Sequence, residues 1–231
     1  MLVRDVVKSY SFYSGDRTDI DKLSVTEITG GEPLQIALTR KHSDEISRDK
    51  ITQATIGSIF DLGFKNMGFE PGRIKIDIDG FTVSGEPDIF QDGVLVDNKL
   101  TKKYALKMWE KEKEKHQYTL QINFYRMMLE NQGKEVKDMQ IAWWIKDQSD
   151  VKAGDPQALV ETKVPHIEDS KLLDIARGVH EEARGILEGK ILTQKCNNTF
   201  GNDMRCKSYC DVKEFCPYAK KRGYTKVTSG W

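Results

Sequence analysis

The chain lacks several features that would place a protein in a class at once. No stretch of its 231 residues approaches the ~20 apolar residues of a membrane helix. The N-terminus, MLVRDVVKSYSFYSGDR, has no apolar signal core. Lysine plus arginine and aspartate plus glutamate both total 36, so the net charge identifies no partner. We therefore expect a polar, cytoplasmic protein without a membrane segment.

Cysteine is scarce and confined to one short segment. Four cysteines stand in KCNNTFGNDMRCKSYCDVKEFCPY with the spacing C-x9-C-x3-C-x5-C: Cys196, Cys206, Cys210 and Cys216. In an intracellular chain this clustering favours a metal site over disulfides. Four thiolates can bind tetrahedral Zn²⁺ or a [4Fe–4S] cluster. Four unligated buried thiols are the alternative.

Two segments of this neutral chain are locally basic. Residues 102–115 contain six lysines and three glutamates, and residues 191–231 contain eight basic and three acidic residues. Basic segments of this kind are typical of proteins that bind a polyanion. Solvated helix faces explain the same charges, so both interpretations stay open.

Hydrophobic periodicity predicts an α/β protein with helices on a mixed sheet. Ser24 and Glu27 fit a capping box at a helix start. Asp79–Gly80 is a hairpin signal, and we expect Ile89–Phe90 and Val94–Val96 to continue the same sheet. The other predicted elements are helices over Ser43–Met67, 102–132 and Asp169–Glu188, and strands over Met139–Ile145 and Leu159–Val164.

The stretch SGEPDIFQDGVLVDNKL places two aspartates around a predicted tight turn. If Asp92–Gly93 is a two-residue hairpin loop, Asp88 lies directly opposite Asp97. Opposed Cβ atoms are ~4.5–5.5 Å apart, where like charges are destabilising. The two-residue period of a strand puts Lys99 on the same face as Asp97.

This predicted pair has a functional and an ordinary explanation. Converging carboxylates suit Mg²⁺ or Mn²⁺, which activates water and stabilises charge on a phosphoryl oxygen. A lysine beside the ion can orient the nucleophile or stabilise an anionic transition state. The set would then catalyse metal-dependent phosphodiester hydrolysis. The alternative is an exposed hairpin with surface aspartates.

Three ordered motifs resemble the PD-(D/E)xK nuclease superfamily, specifically the RecB-type exonuclease branch with its CRISPR-associated and phage nucleases. G-x-x-D occurs as Gly85–Asp88, D/E-x-K as Asp97–Lys99 and Q-x-x-x-Y as Gln121–Tyr125. The segment Leu23–Thr26, LSVT, is similar to the start of related phage nucleases. The resemblance runs to about Ile145 and implies a restriction-endonuclease-like core, with a mixed central β-sheet flanked by helices.

The resemblance assigns roles to the matching residues. Asp88 and Asp97 would bind Mg²⁺ or Mn²⁺, the Asn98 backbone carbonyl would be a further ligand, and Lys99 would be the catalytic lysine. The branch often has G-x-x-x-H on its first core helix, with histidine as a ligand. Here the motif ends in Asp61, a harder oxygen ligand that suits Mg²⁺ at least as well, and an exposed helix acid is the alternative.

The resemblance also gives roles to the later helix and to the tail. Gln121 and Tyr125, on one helical face, would support the site and contact DNA, with helix packing as the alternative. Some RecB-type nucleases hold an iron–sulfur cluster through cysteines ending in C-x2-C-x5-C. Here the middle spacing is one residue longer, and Cys196 follows the core instead of preceding it. We expect a [4Fe–4S] cluster, with Zn²⁺ as the alternative.

These expectations give three regions: an N-terminal segment over 1–22, a nuclease core over 23–190 and a small cysteine-ligated, basic tail over 191–231. The expected function is a metal-dependent DNA exonuclease in recombination, repair or phage DNA processing. A recombination or helicase protein is an expected partner, in a bacterium or phage-infected host. The alternatives are a non-catalytic DNA-binding protein with a nuclease fold and a structure-specific endonuclease.

Overall fold

The structure, a computed structural model, describes residues 18–30, 32–45, 72–145, 159–192, 196, 203 and 205–224. The strands in these ranges are β1 (Lys22–Ser24), β2 (Ile74–Ile78), β3 (Phe81–Gly85), β4 (Ile89–Gln91), β5 (Val94–Thr101), β6 (Asp138–Ile145) and β7 (Leu159–Lys163). The α-helices are α1 (Val25–Gly30), α2 (Pro33–Lys41), α3 (Lys103–Lys111), α4 (Gln117–Asn131), α5 (Asp169–Leu187) and α6 (Pro217–Lys221), with a π-helical turn at Arg205–Tyr209. Most of the predicted helix Ser43–Met67, including Asp61, lies outside the described residues.

The strands form two sheets, and helices lie against them. One sheet has the order β1-β3-β2, and the other has the order β4-β5-β6-β7. In the larger sheet β5 pairs antiparallel with β4 and parallel with β6, and β7 pairs antiparallel with β6. The sheet is therefore mixed, and the predicted α/β class is confirmed.

Both predicted two-residue turns are present. Asp79 and Gly80 have φ values of 44° and 93°, and Asp92 and Gly93 have 54° and 84°. Positive φ at both central residues is the conformation that matches the twist of a hairpin. The second turn gives the predicted register, with Ile89 opposite Val96.

The prediction that the two hairpins share one sheet is wrong. β2 and β3 pair with β1, whereas β4 and β5 belong to the larger sheet. Glu86, Pro87 and Asp88 lie between the hairpins without strand structure. Pro87 has no backbone N–H to donate to a ladder, so strand pairing ends where the chain passes from one sheet to the other.

The prediction of one helix over 102–132 is also wrong, because α3 and α4 are separate. The indole Nε1 of Trp109 donates to Thr119 Oγ1 at 2.8 Å. In a straight helix, ten residues separate these side chains by about 15 Å along the axis. The contact requires a break, and His116 caps the second helix by accepting from Tyr118 N at 3.3 Å.

Helix α4 is the centre of the core. It buries nine of its residues and packs on β2, β5, β6 and α1. The capping box is confirmed, since Ser24 N donates to Glu27 Oε2 at 2.8 Å and Glu27 N donates to Ser24 Oγ at 3.1 Å. The predicted helix over Asp169–Glu188 is present as α5, which buries Leu172, Ala176, His180 and Ala183. Among the described residues, no helix is both long and apolar enough to cross a membrane.

Candidate active site

The D-x-K residues lie on β5, an interior strand of the larger sheet. Asp97 and Lys99 share the face that meets α4, and Asn98 points to the opposite face as the strand period requires. The Asp97 side chain is 2% exposed and the Lys99 side chain is 17% exposed. Lys99 Nζ lies 2.7 Å from Asp97 Oδ2. The lysine is therefore a largely buried cation held beside a fully buried carboxylate.

Asp88 approaches the same site from the residues just before β4. Regular pairing of β4 with β5 ends at Ile89 and Val96, one residue before the predicted pair of aspartates. Asp88 Oδ2 instead accepts from the backbone N–H of Asn98 at 2.7 Å. Its charge also acts on Lys99. The two carboxyl groups thus converge on one lysine, although they are not partners in the ladder.

The Q-x-x-x-Y residues complete the surroundings of Lys99. Gln121 Oε1 accepts from Lys99 Nζ at 3.2 Å, and Gln121 Nε2 donates to the Tyr125 hydroxyl at 3.1 Å. The predicted placement of Gln121 and Tyr125 on one helical face is confirmed. The lysine Nζ also lies 4.8 Å from the centre of the Tyr118 ring, a cation–π contact.

Gly85, the glycine of the G-x-x-D motif, is explained by the same helix. A Cβ added at Gly85 would lie 2.4 Å from Tyr125 Cε1 and 3.1 Å from Val25 Cγ2. Only glycine lets β3 pass this close to the tyrosine ring. Contacts therefore link all three motifs. Lys99, paired with Asp97, contacts Gln121, and Gln121 contacts Tyr125, which lies against Gly85. Asp88, three residues after Gly85, binds β5 through the Asn98 N–H.

Burial and charge set the protonation states in this site. Burial by itself lowers the pKa of Lys99, but the carboxylates of Asp97 and Asp88 outweigh burial and raise it. Burial raises the pKa of Asp97, and Lys99 offsets part of that rise. Burial and the charge of Asp97 raise the pKa of Tyr125. Lys99 is therefore a permanent cation at neutral pH, suited to stabilising negative charge and unsuited to removing a proton.

The donor set of this site fits a hard divalent cation. Asp97 Oδ2 is fully buried, and Lys99 Nζ lies 2.7 Å from it. Asp88 and Asp97 supply carboxylate oxygens, which are the ligands that Mg²⁺ and Mn²⁺ prefer. Within the described ranges, no three His, Cys, Asp or Glu side chains are grouped to hold a metal ion. Any third carboxylate, such as Asp61, would come from outside those ranges.

The four cysteines line one cavity beside α2. None of the four forms a disulfide, and Cys206, Cys210 and Cys216 are buried. Burial raises the pKa of Cys196 to about 12 and also raises the pKa of Cys210. Four sulfur atoms around one cavity are a suitable donor set for zinc or iron. As placed, the thiols are not grouped so that three of them could hold one metal ion.

Three contacts near these features were not predicted from the sequence. Tyr118 lies three residues before Gln121, so helical spacing could have placed it on the same face. Trp144 Nε1 donates to Asn98 Oδ1 at 3.0 Å, which only the parallel pairing of β5 with β6 reveals. Arg205 donates to Gly30 O at 3.1 Å and to a side chain on α2. These bonds attach the tail to the core, and no pattern in the neighbouring sequence predicts them.

Comparisons with known proteins agree with this geometry. A sequence profile of the PD-(D/E)XK nuclease superfamily matches residues 31–217. A solved structure from Eubacterium rectale, named "Putative exonuclease", aligns with a TM-score of 0.50 at 14% identity, covering 83% of this chain and 88% of that chain. No curated protein matches the sequence.

The profile match spans most of the chain, so this protein belongs to the PD-(D/E)XK nuclease superfamily. Its mixed sheet and flanking helices form the restriction-endonuclease-like core of that superfamily, and the solved structure shares this fold. Nucleases of the superfamily generally use divalent metals such as Mg²⁺ or Mn²⁺.

Proposed function

We propose that this protein is a divalent-metal-dependent deoxyribonuclease of the RecB type, acting as an exonuclease in recombination, repair or phage DNA processing. A recombination or helicase protein would be its partner. The observation that supports a nuclease site is that side-chain and backbone contacts link the three motifs around Lys99. The choice of exonuclease follows the sequence resemblance.

The chain's own residues have separable roles in this proposal. Asp88 and Asp97 hold Mg²⁺ or Mn²⁺, with the Asn98 carbonyl and Asp61 as further ligands by resemblance. When bound, the cation supplies Lewis-acid polarisation of the scissile phosphate and lowers the pKa of water. Lys99, charged at neutral pH, stabilises the negative charge that develops on the phosphate.

Gln121 and Tyr125 keep the catalytic lysine in position and line the path of the DNA. The Gln121 amide oxygen accepts from Lys99 and its amide nitrogen donates to Tyr125, so Gln121 holds the lysine against α4. Tyr125 stays neutral because its pKa is raised. A neutral hydroxyl beside a buried carboxylate adds no charge repulsion against a phosphate.

We assign residues 23–190 to the nuclease core and 191–231 to a metal-binding tail. The cysteine-lined cavity supports a thiolate-ligated centre, which we propose to be a [4Fe–4S] cluster, with Zn²⁺ as the alternative. Protein purified anaerobically should absorb broadly near about 400 nm and contain iron. Colourless protein with one zinc per chain would establish the alternative, and protein without either metal would remove the centre.

Cleavage of end-labelled DNA with Mg²⁺ or Mn²⁺ tests the nuclease assignment. Lys99→Ala should lower the rate about 10²–10³-fold, the loss typical of one charge-stabilising group. Lys163→Ala, with a side chain 81% exposed on β7, is the matched control and should cleave normally. Equal rates for wild type and Lys99→Ala would exclude Lys99 from the mechanism. Cleavage of circular DNA as fast as linear DNA would exclude an exonuclease that requires ends.

A further inference from the structure

The outer side of α3 exposes an aromatic ring. Leu106 and Trp109 are buried, whereas Tyr104 is 69% exposed. The other large hydrophobic side chains exposed in the described ranges are aliphatic. A tyrosine ring in water forgoes the burial that its size would allow. Its exposure therefore suggests a partner for the face of the ring.

The first two turns around Tyr104 are uniformly basic. Lys102, Lys103 and Lys107 lie here, and no acid occurs before Glu110. Lys102 and Lys107 are exposed, and the described part of the chain shows no ion pair for either of them. Lysines close in the chain to an exposed aromatic ring are a combination that binds a nucleic-acid strand through its phosphates and bases.

This surface is next to the proposed catalytic lysine and firmly held. Strand β5 ends at Thr101, and five residue-to-residue steps separate Lys99 from Tyr104, so their Cα atoms lie at most about 18 Å apart. Trp109 anchors the helix through its hydrogen bond to Thr119 and its ring contact with Trp143, whose centroid is 5.5 Å away. A strand bound on α3 could thus continue to Lys99 within a few nucleotides.

We propose that the first two turns of α3 bind an unpaired strand of the nucleic-acid substrate beside the active site. Tyr104 stacks on an unpaired base, and Lys102, Lys103 and Lys107 contact phosphates. Bases inside a duplex already stack on each other and cannot meet the tyrosine, so the substrate class is single-stranded DNA or a frayed end. This inference rests on the proposed nuclease function for its substrate, but binding can be measured without cleavage.

The experiment measures binding of fluorescein-labelled single-stranded DNA, and of a blunt duplex of the same length, in EDTA. Tyr104→Ala should weaken single-strand binding about tenfold, the usual loss for one stacked base, and should change duplex binding little. Tyr104→Phe keeps the ring and should bind as wild type does. The Lys102→Ala/Lys107→Ala double variant should reduce the salt slope of single-strand binding by about 1.4, at about 0.7 for each phosphate.

Lys137→Ala is the matched control. This exposed lysine donates its backbone N–H to Gly93 O, at the end of β5 far from α3, and the variant should bind as wild type does. Unchanged single-strand binding by Tyr104→Ala, or an equal loss on duplex, overturns the proposal even if the wild type cleaves DNA. Selective loss in a protein that cleaves nothing overturns only the nuclease function. Absence of any DNA binding by the wild type overturns both.

Discussion

The candidate active site and the cysteine tail are held in place by different means. The site lies on an interior strand against α4, and its side chains are fixed by burial and by contacts among several elements. The tail rests on the core through Arg205 and through the stacking of Phe215 on His42 at 4.0 Å. Core packing therefore preforms the candidate active site. The cysteine tail has fewer contacts of this kind, so its structure depends more on a ligand bound by its thiols.

Breaking the buried ion pair should give the largest effect. Asp97→Asn removes the carboxylate 2.7 Å from Lys99 Nζ and should destabilise the protein by about 3 kcal/mol, because Lys99 loses one of the two carboxylates that balance its charge. Urea denaturation measures this loss. Asp92→Asn is the control, since Asp92 is exposed and asparagine tolerates its positive φ. If Asp97→Asn were as stable as Asp92→Asn, the buried ion pair would contribute nothing to stability, and the site would not depend on its packing in the core.

A methyl group at Gly85 should have the next largest effect. Gly85→Ala drives a Cβ into the Tyr125 ring and should cost about 1–3 kcal/mol through overpacking. It should also lower cleavage, because Tyr125 holds Gln121. Gly178→Ala is the control, since nothing lies within 4 Å of a Cβ there and alanine favours the helix. A Gly85→Ala protein as stable as wild type would contradict the close approach.

The helices that support both regions should show a smaller, pH-dependent effect. Burial alone would raise the pKa of Glu27, but its bond to Arg40 Nη1 at 2.8 Å and the Ser24 N–H lower it below 4.5. The stability that Glu27 contributes is thus complete above about pH 4.5 and is lost as pH falls through the lower, folded-state pKa.

Glu27→Gln should therefore cost about 1–2 kcal/mol at pH 7 and less at pH 3. Chemical denaturation of both proteins at the two pH values measures the difference. Glu181→Gln, on the exposed face of α5, should show no such trend. A cost for Glu27→Gln that is equal at pH 7 and pH 3 would exclude the charged pair as its source.

The smallest effect is expected in the tail. The Tyr218 hydroxyl donates to Asp203 at 2.8 Å, and Tyr218→Phe keeps the ring while removing the hydroxyl that makes this bond. Amide hydrogen exchange should show about 1 kcal/mol less protection around α6 and no change in β5. Loss of protection in β5 as well would show that the tail and the site unfold as one cooperative unit and are not held in place separately.

Several features of the fold could be predicted because they depend on neighbours in the chain. The Asp92–Gly93 turn sets the register of its hairpin, and the helical period places Gln121 beside Tyr125. The assignment of β2 and β4 to different sheets could not be predicted, since sheet membership depends on distant partners such as β1. The break between α3 and α4 was missed for the same reason, because it serves a contact between Trp109 and Thr119.

The amino-acid sequence alone was enough to predict the turns, the order of the motifs and the side of each element on which their residues lie, since these follow from local backbone geometry. Tertiary contacts were needed to establish that Asp88 binds the Asn98 N–H instead of opposing Asp97 in the ladder, and that Tyr125 packs on Gly85. Such contacts join residues far apart in the chain, and their distances are set by how sheets and helices pack, which no local pattern encodes.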